Sequence, residues 1–525
     1  IVVMRILVSD PLSQAGVDLL KTEHDVDVMT DLLPEELTRL IGNYDALIVR
    51  SGTKVTKDII EASNLKVIGR AGVGVDNIDV DAATAKGTIV INAPEGNMIS
   101  AAEHTISLMM ALSRSIPQAC FSVRNGEWQR SRFLGVEVFG KTLGVLGLGR
   151  IGAEVAKRMR AFGMNVIAYD PFITIERAKE LRVELASLDE VLANSDFITI
   201  HTSLTKETYH LIGAPEIVKM RDGVRILNVA RGGIIDEKAL FDGLKSGKIA
   251  GAALDVFERE PPTESPLLKL DTCILTPHLG ASTVEAQINV AVAIAEQTLS
   301  ALKGEPVRNA VNVPIRPETF GAIKSYMPLS EQLGKFCIQL VEGQIKGIEV
   351  TYAGEVGQCD VHPLTIAVLK GVLDHVLESP VNFVNAQMFA KKRGIRITET
   401  KTERLEDFQS LITVRIDSDK GDWSVSGTLF MGDLPRIVKI GNYYVDAETK
   451  GCMLITSHID KPGVIGKVGT LLGNNNINVA GMNVGRDNVR GRAVMVLALD
   501  DPISDEVLAQ IRGIDGISVA TAVVL

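Results

Sequence analysis

Aromatic residues are scarce in this chain, with 14 Phe, 7 Tyr and 2 Trp among 525 residues. The apolar mass lies instead in Val, Ile, Leu and Ala, which suits buried parallel strands flanked by helices. Positive charge is in deficit: 55 Lys and Arg against 65 Asp and Glu leave a net charge of −10. That balance excludes nucleic acid as the main partner, because phosphate binding needs a basic footprint; one small basic pocket for an anion remains compatible with it. Cysteine is thin as well. The five residues Cys120, Cys273, Cys337, Cys359 and Cys452 form no CxxC pair and no zinc spacing, so no metal is expected and they read as reduced core thiols. No apolar run reaches the ~18 residues of a membrane span. The first residues lack the basic, apolar and cleavage regions of a signal peptide, so a cytoplasmic protein with Met4 as its natural first residue is expected, with no membrane partner.

Hydrophobic residues make up 46% of the chain and charged residues 23%, as in folded soluble proteins. At ~150 residues per domain, the length implies three to four domains. The first segment alternates MRILVSD, AGVDLLKTE, DVDVMT, PEELTRLIGNY and ALIVRS. Strand and helix in turn predict a parallel sheet with right-handed crossovers. A long helix is expected from Ile99 to Arg114, then a basic loop, RNGEWQRSRF, and then a second α/β unit opening with KTLGVLGLGRIG. Its further strands are VIAYD, FITIH, RILNVA, IAGAALDV and CILTPH, before the amphipathic helix that ends at Gly304. From about Ile315 the chain turns to β-branched strands with fewer helices, PRIVKIGNYYVDA reading as one of them. The last 75 residues follow the ferredoxin-like order strand–helix–strand–strand–helix–strand. The expected units are thus 1–98 with 285–314, 99–284, 315–450 and 451–525.

Gly147, Gly149 and Gly152 stand in a G-x-G-x-x-G between an apolar strand and an amphipathic helix. The first permits a tight turn, the second lets pyrophosphate approach the backbone, and the third lets helix and strand pack closely. The helix N-terminus offers free N–H groups to phosphate. Asp170 closes the next strand at the offset of an acid that binds ribose hydroxyls, and its charge repels the extra phosphate of NADP. NAD is the expected cofactor.

Hydride transfer from a secondary alcohol needs a base for the hydroxyl proton and a cation for the substrate carboxylate. Arg231, Glu260 and His278 follow successive strands of the second unit, where ligands bind in open α/β sheets. His278 is the expected acid–base. A carboxylate beside it would hold its tautomer, and Glu258 competes with Glu260 for that role by spacing. Arg231 offers a planar fork for a carboxylate. His201 and His104 are alternative acids, though His104 reads better as helix packing.

GLGRIG with Asp170, NVARGGIIDEKAL, ALDVFEREPP and TPHLGAST resemble the D-isomer-specific 2-hydroxyacid dehydrogenases. RAGVGVDNIDV, the APEGN loop and the tail resemble that family's long, phosphoglycerate-oxidising branch, which adds an intervening domain and a C-terminal ACT domain. The resemblance implies a flavodoxin-like substrate lobe, a Rossmann nucleotide lobe, an α+β intervening domain and a ferredoxin-like ACT domain. It implies NAD-dependent oxidation of 3-phospho-D-glycerate to 3-phosphohydroxypyruvate, the first step of L-serine biosynthesis, by a homodimer or homotetramer.

By the same resemblance the catalytic set is Arg231, Glu260 and His278. Arg150, Ile151, Thr202, Val229, Ala230, Asp255, Gly280 and Ala281 join the cofactor contacts. Ser203 stands where many relatives have Pro. The Gly72–Val75 loop, with Gly74 and Val75, resembles a backbone cradle for the substrate carboxylate, and Asn97 lies in the loop beside it. Arg50 is the first choice for the phosphate, with Arg70 and Lys54 behind it, while Arg130 beside Trp128 would reach a neighbouring subunit. His458, Asp460 and Asn478 are the expected contacts of an L-serine effector. Arg436 and Lys439 are tried for an anion site in the intervening domain. Two other functions fit the same residues: a dehydrogenase of glyoxylate or a related oxo-acid, and an NAD(H)-sensing interaction protein.

Overall fold

The computed structural model describes residues 3–313, 315, 317–403 and 407–525. Four sheets organise them. The first takes β1 (Arg5–Val8), β2 (Asp25–Val28), β3 (Ala46–Val49), β4 (Val67–Arg70) and β5 (Ile89–Asn92) in the order β2-β1-β3-β4-β5, all parallel. This is the flavodoxin-like order. The ALIV run of β3 is buried throughout because helices cover both faces of the sheet.

The helix Met98–Arg114 carries the chain into the second sheet. Its strands are β6 (Thr142–Leu146), β7 (Asn165–Tyr169), β8 (Glu184–Leu185), β9 (Phe197–Ile200), β10 (Val224–Asn228), β11 (Ile249–Leu254) and β12 (Cys273–Leu275). The order β12-β11-β10-β9-β6-β7-β8 is parallel and reverses direction between β6 and β9. A crevice opens at such a reversal, at the carboxyl ends of the strands. The helix Val284–Leu302, capped by Thr283 accepting from the Ala286 N–H (3.1 Å), returns to the first sheet. The departing chain is then pinned to β5 by Asn312, whose Oδ1 accepts from the Val90 N–H (2.9 Å). Two α/β lobes therefore face each other across a cleft, joined by two long helices.

A six-stranded sheet between Ile345 and Glu448 follows, one pair parallel and the rest antiparallel. It corrects the sequence reading in one place. PRIVKIGNYYVDA is a hairpin, Leu434–Ile440 and Tyr443–Glu448, turning at Gly441 (φ 57°). This part also holds two 15-residue helices, Tyr326–Leu340 and His362–Val376. The second buries ten residues on nearly all sides, so its apolar pattern shows no helical period. The helix Ile116–Arg124 was likewise not anticipated; it restarts after Ser115 takes a left-handed φ of 48°.

The last sheet pairs Cys452–Ile459 centrally with Arg492–Leu499 and Ile517–Val524, and Val479–Arg486 lies at one edge. One face packs on its own helices through Leu454, Val468 and Leu472. The other joins the core of the preceding domain through Met453, Ile455, Val494 and Val523, and Gln339 exchanges two hydrogen bonds with the Val524 backbone (2.9 and 3.1 Å). Among the cysteines only Cys273 and Cys337 are buried, while Cys120 is exposed on its helix, so the expectation of core thiols holds for part of the set. Among the described residues, no helix is long and apolar enough to cross a membrane.

Candidate active site

A cleft of about 550 Å³ lies between the two lobes. Arg231, Glu260 and His278 all line it, reached from the carboxyl ends of β10, β11 and β12. His278 Nδ1 is 2.9 Å from Glu260 Oε2. The other oxygen, Oε1, accepts from the Phe257 N–H (3.2 Å), which aims the carboxylate at the ring. Burial works against the Glu260 carboxylate, but the hydrogen bond and charge of His278, with the Phe257 N–H, outweigh it and hold its pKa below the ordinary value. Glu258 is elsewhere: its Oε1 meets His210 Nε2 (3.1 Å) and the Glu237 N–H (3.1 Å). Geometry thus separates two acids that spacing left open.

His278 has a left-handed backbone, φ 55°, which is rare for a non-glycine residue and costs energy. Asp255 holds it there. The Asp255 carbonyl accepts from the His278 N–H (3.0 Å). Its buried carboxylate accepts from the N–H groups of Leu279 (2.7 Å) and Gly280 (2.8 Å) and from Thr276 Oγ1 (2.6 Å). His104 Nε2 lies 3.2 Å from the same carboxylate, so His104 braces the turn beyond simple packing. Burial alone would raise the Asp255 pKa; His104, Thr276 and the two N–H groups together lower it. His201 also lines the cleft, but burial pushes it down to about 4 and its Nε2 is engaged 2.9 Å from Thr199 Oγ1, which favours His278 as the acid–base.

Arg231 donates from Nε to Asp76 Oδ2 across the cleft (3.1 Å) and from Nη1 to the Ala230 carbonyl (2.7 Å). Asn228 fixes this turn by accepting from the Ala230 N–H (3.0 Å) and donating to the Arg231 carbonyl (2.8 Å). The remaining Nη2 stands over Gly74, where any Cβ would overlap it. Arg70 and Arg50 line the same cleft. Burial pushes Arg70 down to about 10, and the charges of Arg231 and Arg50 push the same way against Asp76 and Asp10. Its Nε is buried without a partner among the described residues. Three guanidinium groups so placed repel one another and favour an anion between them.

Val75, Asn97, Ile151, Thr202, Val229 and Ala230 line the cleft too, as do Gly280 and Ala281. The glycine turn fits a dinucleotide. Gly147 has φ 91°, a Cβ on Gly152 would strike the Gly147 carbonyl, and open space stands where a Cβ of Gly149 would point. Asp170 accepts from the Leu148 N–H of that turn (2.8 Å) and from the Phe172 N–H (2.9 Å). Thr202 Oγ1 and Asn97 Oδ1 are buried without partners among the described residues, ready for the polar groups of a bound nucleotide or substrate.

Other residues stand apart from this cleft. Arg150 opens the helix Arg150–Ala161, but it lines a second cavity with Glu95, Arg308 and His362. Lys54 is exposed away from the cleft. Arg130 lies over the exposed Trp128 ring at 5.8 Å, outside the cleft of its own chain. His458 is buried, and Asp460 accepts from Arg486 (3.1 Å). Asn478 donates to Asp500 (2.6 Å). The strand register puts Asn478 at the opposite end of the sheet from His458 and Asp460. Arg436 is engaged by Asp446 (3.8 Å) and Glu448 (3.6 Å), and Lys439 lies over Tyr444 (4.5 Å).

The family models that match are the NAD-binding domain of D-isomer-specific 2-hydroxyacid dehydrogenases over residues 106–280, the D-3-phosphoglycerate dehydrogenase intervening domain over 322–441, and the ACT domain over 453–516. A D-3-phosphoglycerate dehydrogenase of Archaeoglobus fulgidus is 49% identical, covering 99% of this chain and all of its own. That of Bacillus subtilis is 43% identical over 98% of both. The solved D-lactate dehydrogenase of Aquifex aeolicus, complexed with NAD and lactic acid, superposes with a TM-score of 0.53 at 31% identity, covering 57% of this chain and 96% of its own. Relatedness along nearly the full length, with the same three domain families in series, places this chain in the D-3-phosphoglycerate dehydrogenase family of NAD-dependent dehydrogenases.

Proposed function

We propose that this protein oxidises 3-phospho-D-glycerate to 3-phosphohydroxypyruvate with NAD in the cytoplasm, the first step of L-serine biosynthesis. The observation that supports this best is one cleft in which the His278–Glu260 pair, Arg231, Arg50 and Arg70 converge beside a dinucleotide turn. Its working parts divide as 1–98 with 285–314 for substrate, 99–284 for NAD, 315–450 for the intervening domain and 451–525 for the ACT domain.

Glu260 occupies His278 Nδ1, so Nε2 is the atom left to take the substrate hydroxyl proton. The imidazolium that results is stabilised by the Glu260 carboxylate. Arg231 Nη2 and the N–H groups of Gly74 and Val75 hold the substrate carboxylate, and Arg50 and Arg70 hold the phosphate. Asn97 borders the same cradle. Bound NAD supplies the hydride acceptor. Gly147, Gly149, Gly152 and the backbone of Arg150 and Ile151 seat its pyrophosphate, Asp170 its ribose, and Thr202, Val229, Ala230, Asp255, Gly280 and Ala281 its nicotinamide end.

An oligomer is supported by exposed apolar side chains on and after the helix Ile116–Arg124, among them Phe121 (67% exposed) and Trp128 (74%). In a homodimer or homotetramer, Arg130 would reach a neighbour's cleft. L-serine is the proposed effector. Antiparallel pairing of two Val479–Arg486 edges would bring Asn478 of one chain to the end of the sheet that holds His458 and Asp460 of another, which a single chain keeps apart.

The test is NADH formation from 3-phosphoglycerate, D-glycerate and D-lactate, each with and without L-serine. Reaction confined to the phosphorylated acid and slowed by serine is expected; reaction with all three acids alike would reject the substrate assignment. Arg50→Ala should raise KM for 3-phosphoglycerate about ten- to a hundredfold, the loss of one charge-assisted contact. An unchanged KM would remove Arg50 from the phosphate site. Asp170→Ser should raise the NADP-to-NAD ratio of kcat/KM at least about tenfold by relieving ~1.4 kcal/mol of charge repulsion.

A further inference from the structure

The two anion-binding segments of the cleft belong to different turns of the first lobe. Arg50 follows β3, and the Gly72–Val75 loop follows β4. Neither turn is a regular element, and Arg50 itself is weakly held: among the described residues its guanidinium makes one long hydrogen bond, to the Pro11 carbonyl (3.4 Å). With so little tying the guanidinium, the backbone of residues 50–53 is what anchors the side chain at the cleft. The structure clamps this backbone from two sides. Asp10, 8% exposed and two residues beyond β1, accepts from the N–H groups of Arg50 (2.5 Å) and Thr53 (3.1 Å) and from Thr53 Oγ1 (2.9 Å). From the other side, Asn77 Nδ2 donates to the carbonyls of both Arg50 and Thr53, at 2.6 Å each. The Asn77 carbonyl in turn accepts from the Val55 N–H (2.8 Å).

Asn77 lies two residues beyond Val75, in the loop that forms the carboxylate cradle. One side-chain nitrogen thus spends both its protons on the segment that carries Arg50, while its own backbone belongs to the segment that faces Arg231. We propose that Asn77, with Asp10 opposite, is a positioning residue that fixes the spacing between the two anion sites and so sets the preference for a phosphorylated over an unphosphorylated hydroxy acid. This rests on the substrate reading above. The residue type is what the geometry requires. Two donors on one short, planar arm are needed; Asp in its place would aim lone pairs at two carbonyl oxygens, and Ser has one donor and a shorter reach.

The test is steady-state kinetics of the full-length Asn77→Ser and Thr53→Val variants with 3-phosphoglycerate, D-glycerate and NAD. Thr53→Val removes the hydroxyl contact to Asp10, with those to Ser9 Oγ (3.0 Å) and the Ser9 carbonyl (3.5 Å), and keeps the backbone contact to Asp10. For Asn77→Ser, KM for 3-phosphoglycerate should rise about ten- to a hundredfold, because misplacement of a substrate clamp by about 1 Å has an effect of that size. KM for NAD should stay within about twofold, since the nucleotide lobe is untouched, and the kcat/KM ratio of phosphorylated to unphosphorylated acid should fall with the rise in KM. Thr53→Val should move the same ratio in the same direction by a smaller factor. A general loss of structure would shift NAD and both acids together. That outcome, or an unchanged ratio in both variants, overturns the inference while wild-type turnover of 3-phosphoglycerate leaves the substrate reading intact. Failure of the wild type on that acid would reject both.

Discussion

Replacing His278 by Asn should lower kcat about 10²- to 10⁴-fold, the range measured for loss of a positioned acid–base. Asn is the informative substitution because the position is left-handed, with φ 55°, and Asn tolerates that region better than most residues. The turn should therefore survive and only the proton acceptor be lost. NADH binding, followed by its fluorescence, should stay close to wild type, since the glycine turn and Asp170 lie in other loops. A kcat within tenfold of wild type would remove His278 from the proton transfer. Glu260→Gln should have a smaller effect in the same direction: the amide still accepts a hydrogen bond from Nδ1, but it supplies no charge to stabilise the imidazolium.

The largest stability effect is expected at Asp255. Its carboxylate accepts from Thr276 Oγ1 and two backbone N–H groups, with His104 alongside. Asp255→Ala would strand those donors in a buried place and release the left-handed turn, at a cost of about 3–5 kcal/mol. A clear fall in the denaturation midpoint is the expected reading, together with lost activity, because Pro277, His278 and Leu279 share the turn. A midpoint equal to wild type would show that the turn holds itself.

The pH dependence follows in sign. The native Asp255 pKa lies below its unfolded value. The stability it contributes is present above the unfolded carboxylate range near ~4 and is lost as pH falls through the lower native value. Asp255→Asn has no such titration, so the gap between it and wild type should narrow on acidification. Denaturation midpoints at neutral pH and below about pH 4 check this.

The parts legible from sequence alone were those written in short range. Apolar runs such as ALIV and FITI announced doubly covered strands, and alternation with helices announced parallel order. The glycine spacing and Asp170 announced the nucleotide turn. Arg231 and His278, with either Glu258 or Glu260, stand out as candidates because each follows a strand of one sheet, where ligands gather. The helix His362–Val376 escaped for the converse reason: buried on nearly every side, it shows no period to read.

What only the tertiary structure decided depends on where side chains from distant segments point. Glu260 and Glu258 have the same composition and nearly the same position in sequence, yet one faces His278 and the other His210. His104 and Asp255 are 151 residues apart and meet under one turn, and Asn77 reaches back to residues 50 and 53. Local pattern records which face of an element is apolar, because burial acts on every residue in turn. A hydrogen bond between loops depends on the packing of both lobes at once, and that information exists only after the sheets have been assembled.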